Sequence, residues 1–134
     1  MIKLPKKVLE IRSKKGKLHF QRWRLIEILG RGIFIHHFTR SDKDLHLHDH
    51  PWDFYSLVLK GGYVELTKDG TVTRNPGDFG FIAAEKLHQI KSLLTDSSWT
   101  LIFRGKRKRV WGYDVDGEWV DNIKYRQRKI LNRL

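Results

Sequence analysis

The residues of this chain that could do chemistry are grouped histidines. His46, His48 and His50 occupy alternate positions, and His88 lies well downstream of them. On an extended strand, alternate side chains leave the same face, so these imidazoles would converge. Neutral imidazole is a good ligand for divalent transition metals, and a further ligand must come from a neighbouring strand, where His88 is well placed. The alternation predicts a metal site; the alternative is that these histidines are surface residues of a polar loop.

Composition narrows the chemistry that this 134-residue chain can carry. With no cysteine, disulfides, zinc-thiolate sites and thiol nucleophiles are excluded, and any metal must be held by imidazole or carboxylate. The formal net charge of +12 favours anionic ligands such as phosphates and nucleic acids, or else reflects a solvated basic surface or a basic subunit interface. The N-terminus lacks the apolar stretch of a signal peptide, and no run approaches a membrane span, which indicates a cytoplasmic protein.

Short strands punctuated by turn residues recur along most of the chain. Alternating side chains predict a strand over residues 18–28, and Gly30 and Gly32 predict a hairpin into the next β-rich run. Pro51 predicts a bend in the histidine stretch, because proline cannot donate to a β-ladder. No alternation of strands with helices is present, so the pattern predicts an antiparallel sandwich or barrel.

We expect a single domain over residues 1–134, in three parts. Residues 1–17 form a basic N-terminal arm, either frayed or a short edge strand, because Lys and Arg dominate it. Residues 18–121 form the β-barrel, and residues 122–134 form an amphipathic helix. The expected face of that helix consists of Ile123, Gln127, Ile130, Leu131 and Leu134.

Two stretches resemble the sequence motifs of the cupin superfamily. The first joins the His-Asp-His at 48–50 to the Val-Leu-Lys-Gly at 58–61, and the second joins the Gly-Asp-Phe-Gly-Phe-Ile at 77–82 to His88. Segments 36–42, 48–54, 61–65 and 111–113 are similar to uncharacterised small cupin-like proteins of phage and prophage genomes. The resemblance implies an all-β fold, a small double-stranded β-helix (jelly-roll) barrel with a short C-terminal helix, that holds one metal in the barrel mouth.

Carried over to this chain, the resemblance assigns three metal ligands. The His-x-His pair becomes His48 and His50, and the histidine of the second motif becomes His88. His46 is then a rim residue or an alternative ligand. The implied cofactor is one divalent transition metal, Fe, Mn, Ni, Co or Zn, among which imidazole ligands do not discriminate.

The fourth position of the metal site departs from the cupin pattern. Cupins usually place a glutamate ligand seven residues before the motif glycine, and counting back from Gly61 this position holds Phe54. Asp53 is one residue away, and a bend at Pro51 could turn its carboxylate inward as a tentative fourth ligand. Asp53 could instead be a hydrogen-bond acceptor that orients one imidazole. Without it, the site is three histidines completed by water.

Other side chains are assigned to substrate or to the core. Arg24, His37 and Arg104 lie on strand-like segments and could point into the mouth to fix an anionic substrate, a role that suits guanidinium groups. Aromatic residues on short strands are expected to fill the barrel. They are Trp23, Trp52, Tyr55, Phe79, Phe81 and Trp99.

These expectations together predict a mononuclear metal-dependent enzyme acting on a small anionic molecule. Fe(II) oxygenation is the first choice of reaction, with metal-assisted hydrolysis or isomerisation behind it. The alternative is a non-catalytic binding module for a nucleotide, a phosphorylated ligand or nucleic acid, the last bound without sequence specificity. A homodimer through an edge strand or the C-terminal helix would suit an open jelly roll. A phage-encoded protein of this kind would act in the host cytoplasm.

Overall fold

Twelve β-strands and one α-helix make up the part of the chain that the computed structural model describes, residues 1–42 and 45–132. The strands are β1 Ile2–Lys3, β2 Lys6–Arg12, β3 Leu18–Ile28, β4 Arg31–Phe38, β5 Phe54–Lys60, β6 Tyr63–Thr67, β7 Gly70–Arg74, β8 Phe79–Ile82, β9 His88–Leu93, β10 Ser98–Arg104, β11 Gly112–Val115 and β12 Glu118–Asp121. The helix, α1, is Asn122–Ile130. The expected all-β class with a short C-terminal helix is confirmed.

The strands form two larger sheets and one hairpin, all antiparallel. The first sheet follows the order β1-β3-β4-β10-β5-β8, and β2 also pairs with β3. The second sheet has the order β7-β6-β9, and β11 pairs with β12. Strand β10 lies between β4 and β5, and β9 beside β6, so neighbours in the sheets are distant in sequence, as in a jelly roll. The basic arm supplies β1 and β2 and is therefore part of the first sheet.

Alternation along the strands places the core between the two sheets. In β5, every second side chain from Phe54 through Ser56 to Val58 is buried. Successive side chains of a strand leave opposite faces, so one face of β5 points at the second sheet. There Val58 packs with Tyr63 of β6 and Ile90 of β9. The two sheets thus face each other across the interior.

The aromatic residues divide between this core and the outer face of the first sheet. Trp52 packs against the core, as expected. The expectation that Tyr55, Phe79 and Phe81 fill the barrel is wrong, because their side chains are 46%, 60% and 53% exposed. Tyr55 pairs with Phe81 across the strands, on the face opposite to the buried Ile82. These aromatic residues therefore occupy outward positions of β5 and β8.

The helix closes the chain against the β11–β12 hairpin. Its N-cap is Asp121, whose carboxylate accepts hydrogen bonds from backbone N–H groups of the first turn. Its one buried residue is Tyr125, which stacks on Tyr113 of β11 with ring centroids 3.6 Å apart. The buried contact that docks α1 is therefore aromatic, and Tyr125 clusters there with Tyr113 and Val120.

The apolar face expected of this helix is not the face that packs against the hairpin. Ile123, Ile130 and Leu131 are exposed, because the hairpin presents Tyr113 and the helix turns Tyr125 towards it instead. Leu134, the last member of that face, lies outside the described residues. Within the described ranges, no helix is long and apolar enough to cross a membrane.

Candidate metal centre

Three histidines come together on the wall of a cavity between the sheets. His48 and His50 lie on the segment that leads into β5, and His88 begins β9. The backbones of His48 and His88 exchange two N–H to carbonyl hydrogen bonds, each 2.9 Å long. The N–H of His50 donates to the carbonyl of Ala84 at 2.9 Å. These bonds seat the His-x-His pair beside the distant His88.

The imidazole nitrogens are spaced as the ligands of one ion would be. One nitrogen of each histidine lies within 4.8 Å of the other two. Nε2 of His50 lies 3.4 Å from Nε2 of His88. Two nitrogens each about 2.1 Å from one ion, at a tetrahedral or octahedral angle, are about 3.0–3.4 Å apart. The three side chains therefore fit a divalent transition metal, for which imidazole is a suitable ligand.

A buried carboxylate fixes the orientation of His88. Glu65 on β6 is 2% exposed, and its Oε1 lies 2.6 Å from Nδ1 of His88. Its Oε2 accepts two hydrogen bonds from the Arg74 guanidinium, at 2.9 and 2.7 Å. Burial alone would raise the pKa of Glu65, but the hydrogen bonds and charges of His88 and Arg74 outweigh burial and lower the pKa to about 2. The carboxylate thus holds the proton on Nδ1, so that Nε2 faces the other two histidines.

Glu65 is not among the site residues predicted from the sequence, although its position on β6 carries a signal. Glu65 shares its parity on β6 with Tyr63, an aromatic residue of the core. A carboxylate at the inward position of a core strand needs a buried partner, which an inward-facing histidine on a neighbouring strand can supply. His88 lies on β9, which pairs with β6.

His50 is held in its neutral form. Burial first, and then the charges of His88 and His48, keep its pKa well below the ordinary value of 6.5. Its Nδ1 is buried and has no hydrogen-bond partner within the described residues. A neutral imidazole offers the lone pair that metal coordination requires.

Asp49, between the two histidines of the pair, anchors their segment to the β11–β12 hairpin. Its side chain is 2% exposed and accepts hydrogen bonds from the N–H of Gly112 at 2.7 Å and from Nε1 of Trp119 at 2.9 Å. Arg109 adds an ion pair at 2.7 Å. The backbone that carries His48 and His50 is therefore fixed by contacts of Asp49 with the hairpin and with Arg109.

Asp53 is not brought together with the three histidines. Its Oδ1 accepts a hydrogen bond from the N–H of Ala84 at 2.8 Å, and Nζ of Lys108 lies 3.3 Å from both carboxylate oxygens. The Ala84 hydrogen bond and then Lys108 hold the pKa of Asp53 below its usual value despite some desolvation. The structure does not show the inward turn after Pro51 that a fourth ligand requires.

His46 also lies apart from the three converging histidines, and it forms a hydrogen bond with the helix instead. Its Nδ1 is 2.9 Å from the hydroxyl oxygen of Tyr125, and the two rings meet edge to face. This contact joins the start of the histidine segment to α1.

The three side chains expected to bind an anionic substrate do not line the cavity that the histidines share. Nε of Arg24 donates to a backbone carbonyl of the N-terminal arm at 2.9 Å. His37 stacks on Trp99 with ring centroids 3.9 Å apart. Arg104 donates to Glu27 at 3.0 Å. Each of these groups is engaged elsewhere in the described structure.

The cavity itself has a volume of about 640 Å³, enough for a small molecule. Apolar side chains make up much of its wall beside the histidines. They include Phe38, Trp52, Phe54, Ile90, Ile102, Trp111 and Tyr113. A ligand that reaches the histidines therefore passes between aromatic and aliphatic surfaces.

Similarity to known proteins appears in structure rather than in sequence. No protein-family model matches the chain, and no curated protein sequence matches it. A cupin 2 conserved barrel domain protein from Rhodopseudomonas palustris is similar over 93% of this chain and 97% of its own, with 14% identity and a TM-score of 0.59. KdgF from a Halomonas species is similar over 75% of this chain and 89% of its own, with 19% identity and a TM-score of 0.55.

An iron(II) protein shares the same architecture. The iron(II) form of HppE is similar over 75% of this chain and 57% of its own, with 12% identity and a TM-score of 0.61. Identities this low carry the fold and no activity. The chain has two facing antiparallel sheets with three histidines between them, and its structural relatives include cupin barrels. On these grounds the chain has the cupin fold.

Proposed function

We propose that the protein is a mononuclear metal-dependent enzyme in which His48, His50 and His88 hold the metal. The observation that carries the proposal is the convergence of three imidazoles, one of them fixed from behind by the buried carboxylate of Glu65. Histidines on a solvated polar loop would not be expected to have a buried carboxylate hydrogen-bonded to one of their rings. Outer carboxylates of this kind commonly orient metal-ligating histidines.

Three protein ligands leave coordination positions open for a substrate. When bound, a divalent transition metal supplies Lewis-acid chemistry, and iron(II) also supplies the redox chemistry of an oxygenase. Fe(II) oxygenation is the first choice of reaction, because three protein ligands with open positions beside them suit an oxygen-activating iron centre. Metal-assisted hydrolysis or isomerisation is the second choice, with Mn, Ni, Co or Zn as the ion.

The residues of the chain prepare the site in three ways. Glu65 keeps the proton of His88 on Nδ1 and away from the cavity. Burial keeps His50 neutral, so that its lone pair is available. Apolar side chains such as Phe54 and Trp111 limit the water that reaches a bound substrate and strengthen electrostatic contacts around it.

The substrate is a small anionic molecule. The cavity of about 640 Å³ suits a small ligand. The net charge of +12 raises the local concentration of anions around the molecule.

Anaerobic purification, reconstitution with Fe(II) and a screen of small carboxylates and phosphates for substrate-dependent oxygen uptake test this function. Compounds that fail are screened again with Mn, Ni, Co and Zn for hydrolysis or isomerisation. We expect turnover that is lost in the metal-free protein and in His88→Ala, and kept in His46→Gln. Turnover that survives both metal removal and His88→Ala would contradict the proposal. Ligand binding with no turnover of any compound would favour the binding-module alternative.

A further inference from the structure

One guanidinium group lines the histidine cavity and has no carboxylate partner among the residues that the structure describes. Arg22 lies on β3 and lines the cavity. Its Nε donates to Nε2 of His36 on β4 at 3.0 Å. No ion pair to Arg22 is present within residues 1–42 and 45–132. The neighbouring Arg104, in contrast, is paired with Glu27.

His36 cannot neutralise this charge. Burial first, and then the charges of Arg22 and Arg104, hold the pKa of His36 well below its ordinary value, so the ring is a neutral hydrogen-bond acceptor. Burial and the repulsion from Arg104 also lower the pKa of Arg22 to about 10, which leaves the guanidinium charged near neutral pH. Arg22 is half-buried, its guanidinium lies 5.5 Å from the centroid of the Phe20 ring, and no carboxylate among the described residues balances its charge. Balancing a partly desolvated charge with a bound anion is favourable.

A second unpartnered polar group lies in the same row of the first sheet. Thr100 on β10 pairs with His36, which in turn pairs with Arg22 on β3. Thr100 is 2% exposed and lines the cavity, and its Oγ1 has no hydrogen-bond partner within the described residues. The flanking row contains Phe34 and Ile102, which are buried and apolar, with Arg24 and Ser56 at its two ends. The row of Arg22, His36 and Thr100 thus lies beside two large apolar side chains.

We propose that Arg22, together with Thr100, binds the carboxylate of a small substrate whose reactive end lies at His48, His50 and His88. The free Nη groups of Arg22 would take the two carboxylate oxygens side by side, and the Thr100 hydroxyl would donate to one of them. His36 holds the guanidinium in place through Nε. The assignment of the reactive end rests on the proposed function, whereas the carboxylate subsite does not.

The chemistry of the row favours a carboxylate over a phosphate. A planar guanidinium matches two carboxylate oxygens, and its single positive charge balances a monoanion. A phosphate dianion needs further cationic donors, but the other cations that line the cavity, Arg40, Arg126 and Lys129, are exposed residues. The apolar wall beside the row indicates that the rest of the substrate carries hydrocarbon.

Titration of the metal-free full-length chain with simple probes tests this subsite. The probes are acetate, isobutyrate and benzoate, their neutral amides, and inorganic phosphate, with binding followed by NMR. We expect at least one carboxylate to bind more tightly than its amide by about tenfold or more, as for a hydrogen bond to a charged group. Arg22→Gln should remove that difference. Arg22→Lys, which keeps the charge without the fork, should retain only part of it.

Arg24→Gln is the matched control, because it removes one charge from the same strand outside the cavity. We expect its carboxylate affinity to stay within about twofold of the original protein, since screened surface charges contribute little. Equal losses in the Arg22 and Arg24 variants, or no carboxylate binding at all, would overturn the subsite. Phosphate binding tighter than that of every carboxylate, and lost in Arg22→Gln, would overturn the carboxylate assignment. Because no metal is used, these outcomes are independent of whether the three histidines bind one.

Discussion

Glu65 orients one of the three histidines, His88, so that its Nε2 points towards the other two. Its carboxylate lies 2.6 Å from Nδ1 of His88, and Arg74 holds the carboxylate in place. A histidine has two nitrogens, and the hydrogen bond at one decides which is offered to a metal. At the residue scale, Glu65 is therefore a positioning residue for the proposed metal centre.

Replacing Glu65 with glutamine should weaken metal binding without removing it. The amide can accept or donate at Nδ1 of His88 but no longer carries the charge that holds the proton there. We expect the affinity for Co(II) to fall by about 10- to 100-fold, the usual cost of losing such a partner. Isothermal titration calorimetry of the metal-free protein with Co(II) measures this affinity.

Glu10→Gln is the control for that experiment. Glu10 also accepts side-chain hydrogen bonds from basic and amide groups, but it lies on β2 and does not line the cavity. Equal metal affinities for the Glu65 and Glu10 variants would show that Glu65 does not orient a ligand.

At the scale of elements, the β11–β12 hairpin holds the histidine segment in place through Asp49, and we call these contacts of Asp49 the clamp. Three contacts converge on the buried carboxylate of Asp49, from Gly112, Trp119 and Arg109. Asp49 stands between His48 and His50 in the chain, so the hairpin and the metal site share one short piece of backbone. Loss of the clamp should therefore affect both folding and metal binding.

Asp49→Ala should be strongly destabilising. It leaves the Arg109 guanidinium and the Trp119 N–H without their buried acceptor, and breaking a buried ion pair costs about 3–5 kcal/mol. We expect a loss of that order in the free energy of unfolding, measured by urea denaturation. Asp69→Ala, in the exposed β6–β7 turn, should change the unfolding free energy by less than about 0.5 kcal/mol. Equal stabilities of the two variants would contradict the clamp.

The same scale shows how far the sequence could predict this structure. Strict alternation and glycine turns identify most strands, and the His-x-His spacing identifies His48 and His50, because both signals are local. His88 is distant in the chain, and its assignment needs the resemblance to the second cupin motif. The outward positions of Phe79 and Phe81 could not be predicted, since aromatic residues suit either face of a strand and the register decides. The different placement of Arg22, which lines the cavity, and Arg24, which bonds to the N-terminal arm, could not be predicted either, because the two residues share one parity on β3 and only the tertiary contacts differ.

At the scale of the whole molecule, two neutral buried histidines make stability depend on pH. His36 and His50 have pKa values well below the ordinary 6.5, mainly because of burial. Below about pH 6.5 the unfolded chain therefore binds protons that the folded chain does not, and folding loses free energy as the pH falls. Each such histidine contributes at most about 1.4 kcal/mol per pH unit. Protonation of Glu65, with its pKa of about 2, removes further stability between about pH 4.5 and 2.

Urea denaturation of the metal-free protein from pH 8 to pH 5 measures this dependence. We expect the unfolding free energy to be nearly constant above pH 7 and to fall steadily below about pH 6.5. His36→Gln should reduce the slope, because one of the two groups is then absent. A stability that is flat or rising between pH 6.5 and pH 5 would show that these imidazoles are not held neutral by the fold.

The proposed metal centre is tested most directly by metal stoichiometry. Metal-free protein is titrated anaerobically with Fe(II) and, for a spectroscopic signature, with Co(II), alongside His88→Ala and His46→Gln. We expect one ion per chain in the original protein and in His46→Gln, because the His46 imidazole is engaged with Tyr125 and not with the other histidines. We expect no stoichiometric binding in His88→Ala. Failure of the original protein to bind an ion, or unchanged binding in His88→Ala, would show that the three histidines do not form a metal site.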